Sequence, residues 1–244
     1  VRFRIRFLGT GKSLSFVRYH RMSSFSDPKA IAGYAENATR RVPGLSDIHR
    51  MSALLLAECT PPNGHVLVVG AGGGMELKVF AQNFPNWQLD GVDPSDEMLS
   101  LAKAALGPLS SRVNLHQGYV EAAPKGPFDS ATCLLTLHFT TEAERYRTLC
   151  EIHSRLKPGG ALVTMHYSIA ESPAERELWL SRCAAFAISS GIDPEQANTA
   201  AVAIGKQLPI LTPAQDEELM RRAGFSNIST FYVALAFRGW VAYA

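Results

Sequence analysis

The stretch from residue 66 to residue 76, VLVVGAGGGME, constrains this chain more than any other part of its sequence. Its first four residues are apolar and mostly β-branched, which is typical of a buried strand in a parallel sheet. A glycine turn follows, and then a helical pattern runs from Met75 to Asn83. A strand that leads into a helix through glycines predicts a crevice for a nucleotide-like ligand, because glycine lets the backbone approach the ligand closely.

The spacing of the glycines narrows the class of ligand. A dinucleotide-binding loop requires glycine at its first, third and sixth positions. Gly70 and Gly72 fit, but the sixth position is Met75, so the pattern is GxGxG through Gly74. This loop, which includes Ala71, resembles motif I of the class I S-adenosylmethionine-dependent methyltransferases. The resemblance implies that the loop holds S-adenosyl-L-methionine as its cofactor.

A second motif follows at residues 88–98. The stretch QLDGVD predicts a strand that ends at Asp93. An acid at that place accepts hydrogen bonds from the two hydroxyls of a ribose, whereas the alternative is an aspartate that caps a turn or helix. Ser95 is a suitable N-cap for the next helix. The resemblance implies that Pro94 and Met98 lie at the adenine.

Two further motifs have counterparts downstream. Residues 113–116 predict a short strand, and Tyr119 and Val120 follow it where the family often carries an acid for the adenine amine. Tyr119 either contacts the base or simply packs. Residues 128–135 predict the fourth strand, with Leu134 near its end. The resemblance thus implies that these three side chains complete the cofactor site.

The order of the predicted elements defines the fold class. Residues 64–166 alternate between strand and helix, which predicts a Rossmann-like α/β fold with helices on both faces of the sheet. Two closing strands near residues 227–235 and 237–242 have no helix between them, so they must pair antiparallel. The prediction is a seven-stranded, mostly parallel sheet with an antiparallel closing strand, as in the methyltransferases.

Residue types indicate where the helix before the fifth predicted strand begins and where it ends. Thr141 and Glu144 form a capping box for a helix that runs to Leu156. Proline and glycines in residues 155–160 then predict the end of the helix before a strand at residues 161–166.

Length and composition bound the domain organisation. The chain has 244 residues, of which 46% are hydrophobic, enough for one domain with a cap. We predict a single domain over residues 22–244, with helical cap elements at 27–58 and 168–208. Residues 1–21 contain six basic residues and no acid, which predicts a weakly ordered basic extension, with a transit peptide as the alternative.

Composition also limits the partners. A net charge of +2 without a basic stripe argues against nucleic acid, and no apolar run is long enough to cross a membrane. The four cysteines form no CxxC pair, which is typical of a reduced, cytoplasmic protein. The seven histidines show no spacing typical of metal ligands, so no metal is predicted.

A closer resemblance links the chain to the bacterial carboxy-S-adenosylmethionine synthases. The segment RVPGLSDI at residues 41–48 resembles theirs, and so does the RAGF at 222–225 with the aromatic strand after it. The likeness covers roughly residues 25–243 in layout.

Departures from that family bear on function. Leu45 replaces a cofactor-contacting tyrosine, and Leu134 replaces a polar asparagine. The family holds the added carboxylate with an arginine in the late helical insert, but here no arginine lies between Arg182 and Arg221. An unpaired carboxylate in such a pocket is unfavourable. The chain is therefore expected to transfer methyl groups rather than to make the carboxylated cofactor.

The expected chemistry is direct displacement of the methyl group by an oxygen, nitrogen or carbon of the acceptor, with a base where the nucleophile loses a proton. His138 follows the fourth strand at the edge where ligands bind, and its alternative is a histidine without a role. His166 ends the fifth strand with Tyr167 and is expected to point toward the insert, with a structural role as the alternative.

Three hypotheses follow from these patterns. The first is a methyltransferase for a small, partly hydrophobic molecule under the cap, whose apolar residues alternatively form core or homodimer contacts. The second is a synthase that modifies the cofactor itself, which prephenate-dependent conversion would indicate. The third is a non-catalytic cofactor-binding subunit, suggested by Val68 where the family often has an acid. Tyr34, Arg40 and Arg41 either cap the pocket or hold the methionine carboxylate, with a place on the surface of an N-terminal helix as the alternative.

Overall fold

The structure is a computed structural model that describes residues 33–170 and 172–244. The predicted basic extension at 1–21 and the start of the predicted cap element at 27–58 lie outside the described residues. The helices are α1 (Tyr34–Arg41), α2 (Leu45–Ala57), α3 (Met75–Asn83), α4 (Asp96–Leu106), α5 (Glu142–Arg155), α6 (Pro173–Ser189), α7 (Pro194–Gln207) and α8 (Pro213–Arg222). The strands are β1 (His65–Val69), β2 (Gln88–Asp93), β3 (Val113–Gln117), β4 (Phe128–Leu134), β5 (Leu156–Tyr167), β6 (Ser226–Ala234) and β7 (Phe237–Tyr243).

The strands form one seven-stranded sheet in the order β3-β2-β1-β4-β5-β7-β6. The first five strands pair in parallel, whereas β7 pairs antiparallel with both β5 and β6. The predicted fold class is confirmed, including the antiparallel closing strands. Because parallel strands end at the same edge of a sheet, the carboxyl ends of β1, β2 and β4 lie side by side.

Local sequence explains where the helices begin. The Ser95 hydroxyl accepts a hydrogen bond from the backbone N–H of Met98 at 3.2 Å and caps α4. At α5, the Thr141 hydroxyl and the Glu144 carboxylate form the predicted capping box. Thr212 and Gln215 form a second capping box at α8. Helices α4 and α5 begin at the predicted residues because their caps are encoded within one turn.

The predicted stop between α5 and its strand is wrong in detail. The helix ends at Arg155, and β5 begins immediately at Leu156, where it pairs with Phe128 of β4. The N–H of Gly159 donates to the carbonyl of Ala244 at 2.7 Å. The glycine-containing stretch therefore extends the strand by pairing with the end of the chain, a long-range contact that local residue types do not reveal.

Hydrophobic side chains cover both faces of the sheet. On one face, Val68 of β1 and Phe80 of α3 belong to a buried cluster that also includes residues of α2 and α6. On the other, Leu67 of β1 packs in a cluster with Leu149 of α5 and Leu219 of α8. Alternate residues of each strand therefore face different helices.

This alternation corrects one orientation expected for β5. Tyr167 faces the insert helices α6 and α7, whereas its neighbour His166 faces α8 on the opposite side of the sheet. The expectation that His166 points toward the insert is therefore wrong, because adjacent strand residues point to opposite faces.

The predicted helical insert is observed as α6 and α7, which pack on each other next to α1. A small apolar cluster between them contains Ala184, Ala187, Ile192 and Ala197. Within the described part of the chain, none of the helices combines the length and the apolar character needed to span a bilayer.

Candidate cofactor site and acceptor pocket

The glycine loop lies between β1 and α3 at the carboxyl edge of the sheet. A Cβ at Gly74 would lie 2.8 Å from Cα of Ala102, so this glycine permits the close packing of α3 and α4. Gly72 has a φ of +44°, and a Cβ there would lie 3.6–3.7 Å from Met98, Tyr34 and the Gly70 carbonyl. The left-handed backbone conformation of Gly72 therefore favours glycine, and the loop is buried beside Tyr34 and Met98.

Asp93 is bound to the glycine loop through its own carboxylate. Oδ2 accepts a hydrogen bond from the N–H of Gly72 at 3.0 Å, and Oδ1 accepts one from the N–H of Ser95 at 2.9 Å. Burial raises the pKa of Asp93, and the two backbone hydrogen bonds act in the opposite direction. Each carboxylate oxygen keeps acceptor capacity for a ribose hydroxyl.

The other predicted cofactor residues lie around this cleft in different environments. Met98 is buried against the loop, whereas Pro94 at the end of β2 is exposed. Tyr119 is 41% exposed and lies at the rim of the cleft. Burial raises the pKa of the Tyr119 hydroxyl, and the negative charges of Glu144 and Asp93 act in the same direction. Three further residues of the predicted cofactor site are buried, namely Ala71, Val120 and Leu134. The contacts of these residues with the cofactor stay predictions.

Tyr34, at the start of α1, covers the glycine loop. A Cβ built on Gly73 would lie 3.0 Å from the Tyr34 ring. Burial raises the pKa of the Tyr34 hydroxyl to about 12, and the negative charges of Glu76 and Asp93 act in the same direction. The position of Tyr34 over the glycine loop supports a place at the pocket and not one on the outer surface.

Glu76 belongs to the same cleft and was not predicted from the sequence. It lies in the first turn of α3 and is only 7% exposed, and its Oε1 accepts a hydrogen bond from the Thr132 hydroxyl at 2.8 Å. Burial raises the pKa of Glu76 to about 8; the Thr132 hydrogen bond opposes this shift, and nearby Asp93 adds to it. In the sequence, an acid in the first turn of a helix is ordinary, so nothing marked it as buried.

His138 lies in a 3₁₀ turn that follows β4, next to Tyr167 at the end of β5. It is buried, and its Nδ1 accepts a hydrogen bond from the backbone N–H of Tyr167 at 3.3 Å. Burial lowers the pKa of His138 well below its usual range, and the positive charges of His166 and Arg145 add to this. The imidazole is therefore neutral, and because Nδ1 is the acceptor, its proton is on Nε2.

His166 belongs to a buried charged cluster on the other face of the sheet. Its Nε2 lies 3.2 Å from Oδ1 of Asp216, which also pairs with the guanidinium of Arg145. All three side chains are about 1% exposed or less. A catalytic role for His166 stays a prediction, and its position favours a structural role.

A pocket opens between α1, α6 and α7. Its outer part is a groove of about 570 Å³ bordered by Arg41 of α1 and by Asp193, Thr199 and Ala203. Its inner part is an apolar slot of about 40 Å³ that reaches Tyr167 at the end of β5. The slot is lined by Leu180, Cys183, Ala187 and Ile204, among others. Arg41 borders both parts.

The residues of the cleft fit S-adenosylmethionine in chemistry. Gly72 gives the loop its left-handed turn, Asp93 offers acceptors for a ribose, and Glu76 supplies a second acid for a cationic ligand. Within residues 33–170 and 172–244, no cluster of side chains has the make-up of a metal site.

Comparison with known families agrees with this site. Residues 66–160 match the family described as a methyltransferase domain, which spans β1 to the start of β5 and includes the glycine loop and Asp93. The chain therefore carries a methyltransferase domain on a Rossmann-like fold, with S-adenosyl-L-methionine as the cofactor.

Curated relatives extend the similarity beyond that domain. The chain is 25% identical over 228 residues to a carboxy-S-adenosyl-L-methionine synthase of Chromohalobacter salexigens, covering 91% of this chain and 84% of that protein. It is also 31% identical over 112 residues to a ubiquinone/menaquinone biosynthesis C-methyltransferase of Geotalea daltonii, covering 44% of this chain and 47% of that protein.

A solved structure shows the same fold. The chain superposes on an O-methyltransferase family protein from Burkholderia thailandensis with a TM-score of 0.62 and 14% identity. The match covers 91% of this chain but only 61% of that structure.

Proposed function

We propose that this chain transfers a methyl group from S-adenosylmethionine to a small, partly hydrophobic molecule that binds between α6 and α7. The apolar slot in front of Tyr167 is the observation that carries this proposal. It adjoins the shallow groove at Arg41, and with about 40 Å³ of its own the slot admits an apolar end of the acceptor while the remainder lies in the groove. The slot also lies at the end of β5, beside the edge of the sheet that carries the cofactor loop.

The chemistry needs little from the protein beyond positioning. S-adenosylmethionine, when bound, supplies a methyl group on a sulfonium that a nucleophile attacks directly. The glycine loop and Asp93 hold the cofactor, and the slot orients the acceptor. His138, with its proton on Nε2, is arranged to donate a hydrogen bond rather than to accept a proton. An acceptor that is already nucleophilic therefore suits this environment of His138.

The slot can be tested by filling it. Ala200 lines both the slot and the groove and is only half-buried, so Ala200→Phe narrows the pocket with little disturbance of the core. Formation of S-adenosylhomocysteine is measured with a panel of small aromatic alcohols, amines and quinones. We expect at least one to be methylated by the native chain and not by Ala200→Phe, with equal affinity of both for S-adenosylhomocysteine. Equal turnover by both would place the acceptor elsewhere.

The second candidate is synthesis of carboxy-S-adenosylmethionine, which the names of the curated relatives favour. Against it, neither arginine of α6 borders the slot. Arg176 donates to the carbonyl of Ile210 at 3.0 Å, and Arg182 lies over the ring of Trp179. Incubation with S-adenosylmethionine and prephenate, followed by mass spectrometry, separates the candidates. A carboxylated cofactor would support the second and overturn the first.

The setting of the enzyme belongs to the same proposal. A cytoplasmic location, no nucleic-acid partner and a homodimer through the insert stay predictions. The four cysteines are all free within the described residues, which agrees with a reducing compartment.

A further inference from the structure

The strand before the glycine loop has Val68 where related sequences often have an acid, and the carboxylate of Glu76 lies beside that part of the sheet. Val68 of β1 and Thr132 of β4 are partners in the parallel register, so their side chains lie next to each other on the same face of the sheet. The carboxylate that reaches the Thr132 hydroxyl belongs to Glu76. The acidic group absent from position 68 is therefore supplied from the first turn of α3.

This carboxylate has no cationic partner in the described protein. None of the salt bridges formed among residues 33–170 and 172–244 involves Glu76. It accepts from the Thr132 hydroxyl and interacts electrostatically with Tyr34, Cys133 and the negatively charged Asp93. A buried carboxyl without a cation is unfavourable, which is typical of a residue kept for a ligand.

The position of Glu76 indicates which part of the cofactor it contacts. Asp93 at the end of β2 is the ribose acceptor, and β1 separates β2 from β4 in the sheet. Two strand spacings, about 10 Å, therefore separate the ribose position from Thr132. S-adenosylmethionine extends from its ribose through the sulfonium to the methionine ammonium. Of these two cationic groups, only the ammonium donates hydrogen bonds to a carboxylate.

We propose that Glu76 receives the methionine ammonium of S-adenosylmethionine, in place of an acid at position 68. This proposal requires that S-adenosylmethionine binds in the cleft, and it holds whichever molecule accepts the methyl group.

The free enzyme should show the consequence of a buried acid in its stability. The pKa of Glu76 is raised from 4.5 to about 8, so its contribution to folding is full below pH 4.5 and is lost as the pH rises toward 8. Glu76→Gln keeps an acceptor for Thr132 and removes this loss. The variant should therefore unfold at a higher temperature than the native chain near neutral pH without cofactor, although it binds the cofactor more weakly.

Two ligands separate contact with the ammonium from a general effect on the cleft. S-adenosylhomocysteine has the methionine ammonium, whereas methylthioadenosine has the same adenosine and sulfur without it. Calorimetry should show that Glu76→Gln weakens S-adenosylhomocysteine binding roughly 10- to 100-fold and leaves methylthioadenosine binding unchanged. Glu142→Gln is the matched control, since Glu142 is an exposed acid in the first turn of α5. It should change neither affinity.

A rescue variant tests the equivalence of the two positions. Val68→Asp combined with Glu76→Gln should regain part of the affinity for S-adenosylhomocysteine, with methylthioadenosine binding showing that the cleft is intact. The proposal is overturned if Glu76→Gln weakens both ligands equally or neither. It is also overturned if the double variant binds methylthioadenosine normally but S-adenosylhomocysteine no better than Glu76→Gln.

Discussion

Asp93 combines two tasks that the sequence offered as alternatives, a ribose acceptor and an aspartate that caps a turn. Its position at the end of a predicted strand marks it as a ribose acceptor. The hydrogen bonds that it accepts from Gly72 and Ser95 show that it also fixes the glycine loop and the start of the next helix. Glu76 was missed for the opposite reason, since its partner Thr132 is 56 residues away in the sequence. Only the strand register brings the two together.

Replacement of Asp93 tests its two tasks together. Asp93→Ala should lower the affinity for S-adenosylhomocysteine by about 2–4 kcal/mol, roughly 30- to 1000-fold, because a charged acceptor for the ribose is lost. Calorimetry gives the affinity, and Glu142→Gln again serves as the control. An unchanged affinity would show that the ribose lies elsewhere.

Among the elements, those with local signals agree best with prediction. Helix α3 spans Met75–Asn83 and β2 spans Gln88–Asp93, both as predicted. Glycines, an N-cap and short apolar runs define these boundaries within a few residues. The start of β5 was mispredicted, because its pairing with the end of the chain overrides the local preference of glycine and proline for a loop.

The capping box of α5 gives a prediction for one element. Thr141→Ala removes the hydroxyl that accepts from the backbone N–H of Glu144. It should lower the free energy of unfolding by about 1 kcal/mol, measured by urea denaturation. Ser154→Ala, an exposed change near the end of the same helix, should alter it by less than about 0.5 kcal/mol. Equal effects of the two changes would contradict a specific role of the cap.

A buried ion pair joins α5 to α8. The Arg145 guanidinium contacts Asp216, and both side chains are 1% exposed. Asp216→Ala leaves the arginine buried without its partner and should destabilise the fold by about 3–5 kcal/mol in urea denaturation. Arg221→Ala breaks an exposed pair with Glu218 and should change stability by less than about 1 kcal/mol. A small effect of Asp216→Ala would show that water or a rearranged side chain replaces the carboxylate.

The same pair predicts a dependence on pH. Burial raises the pKa of Asp216, but the charges of His166 and Arg145 outweigh it and leave the pKa below 3.8. The stabilisation is therefore present above pH 3.8 and is lost as the pH falls through the folded pKa. Urea denaturation from about pH 6 to about pH 3 should show a loss of stability that is absent in Asp216→Ala. Parallel curves for the two proteins would exclude this carboxylate as the source.

At the scale of the whole molecule, the last two strands made the fold predictable. Antiparallel closing strands after a parallel series distinguish this sheet from the dinucleotide-binding fold, and the pattern was visible in the sequence. The pocket between α6 and α7 was not predictable to the same degree. Its lining combines Arg41 of α1 with residues of β5, α6 and α7, and no local pattern connects these segments.

The homodimer predicted through the insert helices stays a prediction, and two exposed apolar side chains allow it to be tested. Leu178 of α6 is 47% exposed and Val202 of α7 is 56% exposed, more than is usual for large apolar side chains. If these side chains form the contact, light scattering should show a dimer for the native chain and a monomer for the Leu178→Glu, Val202→Glu double variant. A native chain that is monomeric at about 100 μM would contradict the dimer.

Binding of S-adenosylhomocysteine to the native chain tests the central claim most directly. The glycine loop, Asp93 and Glu76 together predict a calorimetric titration that saturates at one ligand per chain, and a higher unfolding temperature with the ligand present. A titration without heat at any temperature, together with an unchanged unfolding temperature, would contradict the assignment of this cleft to S-adenosylmethionine.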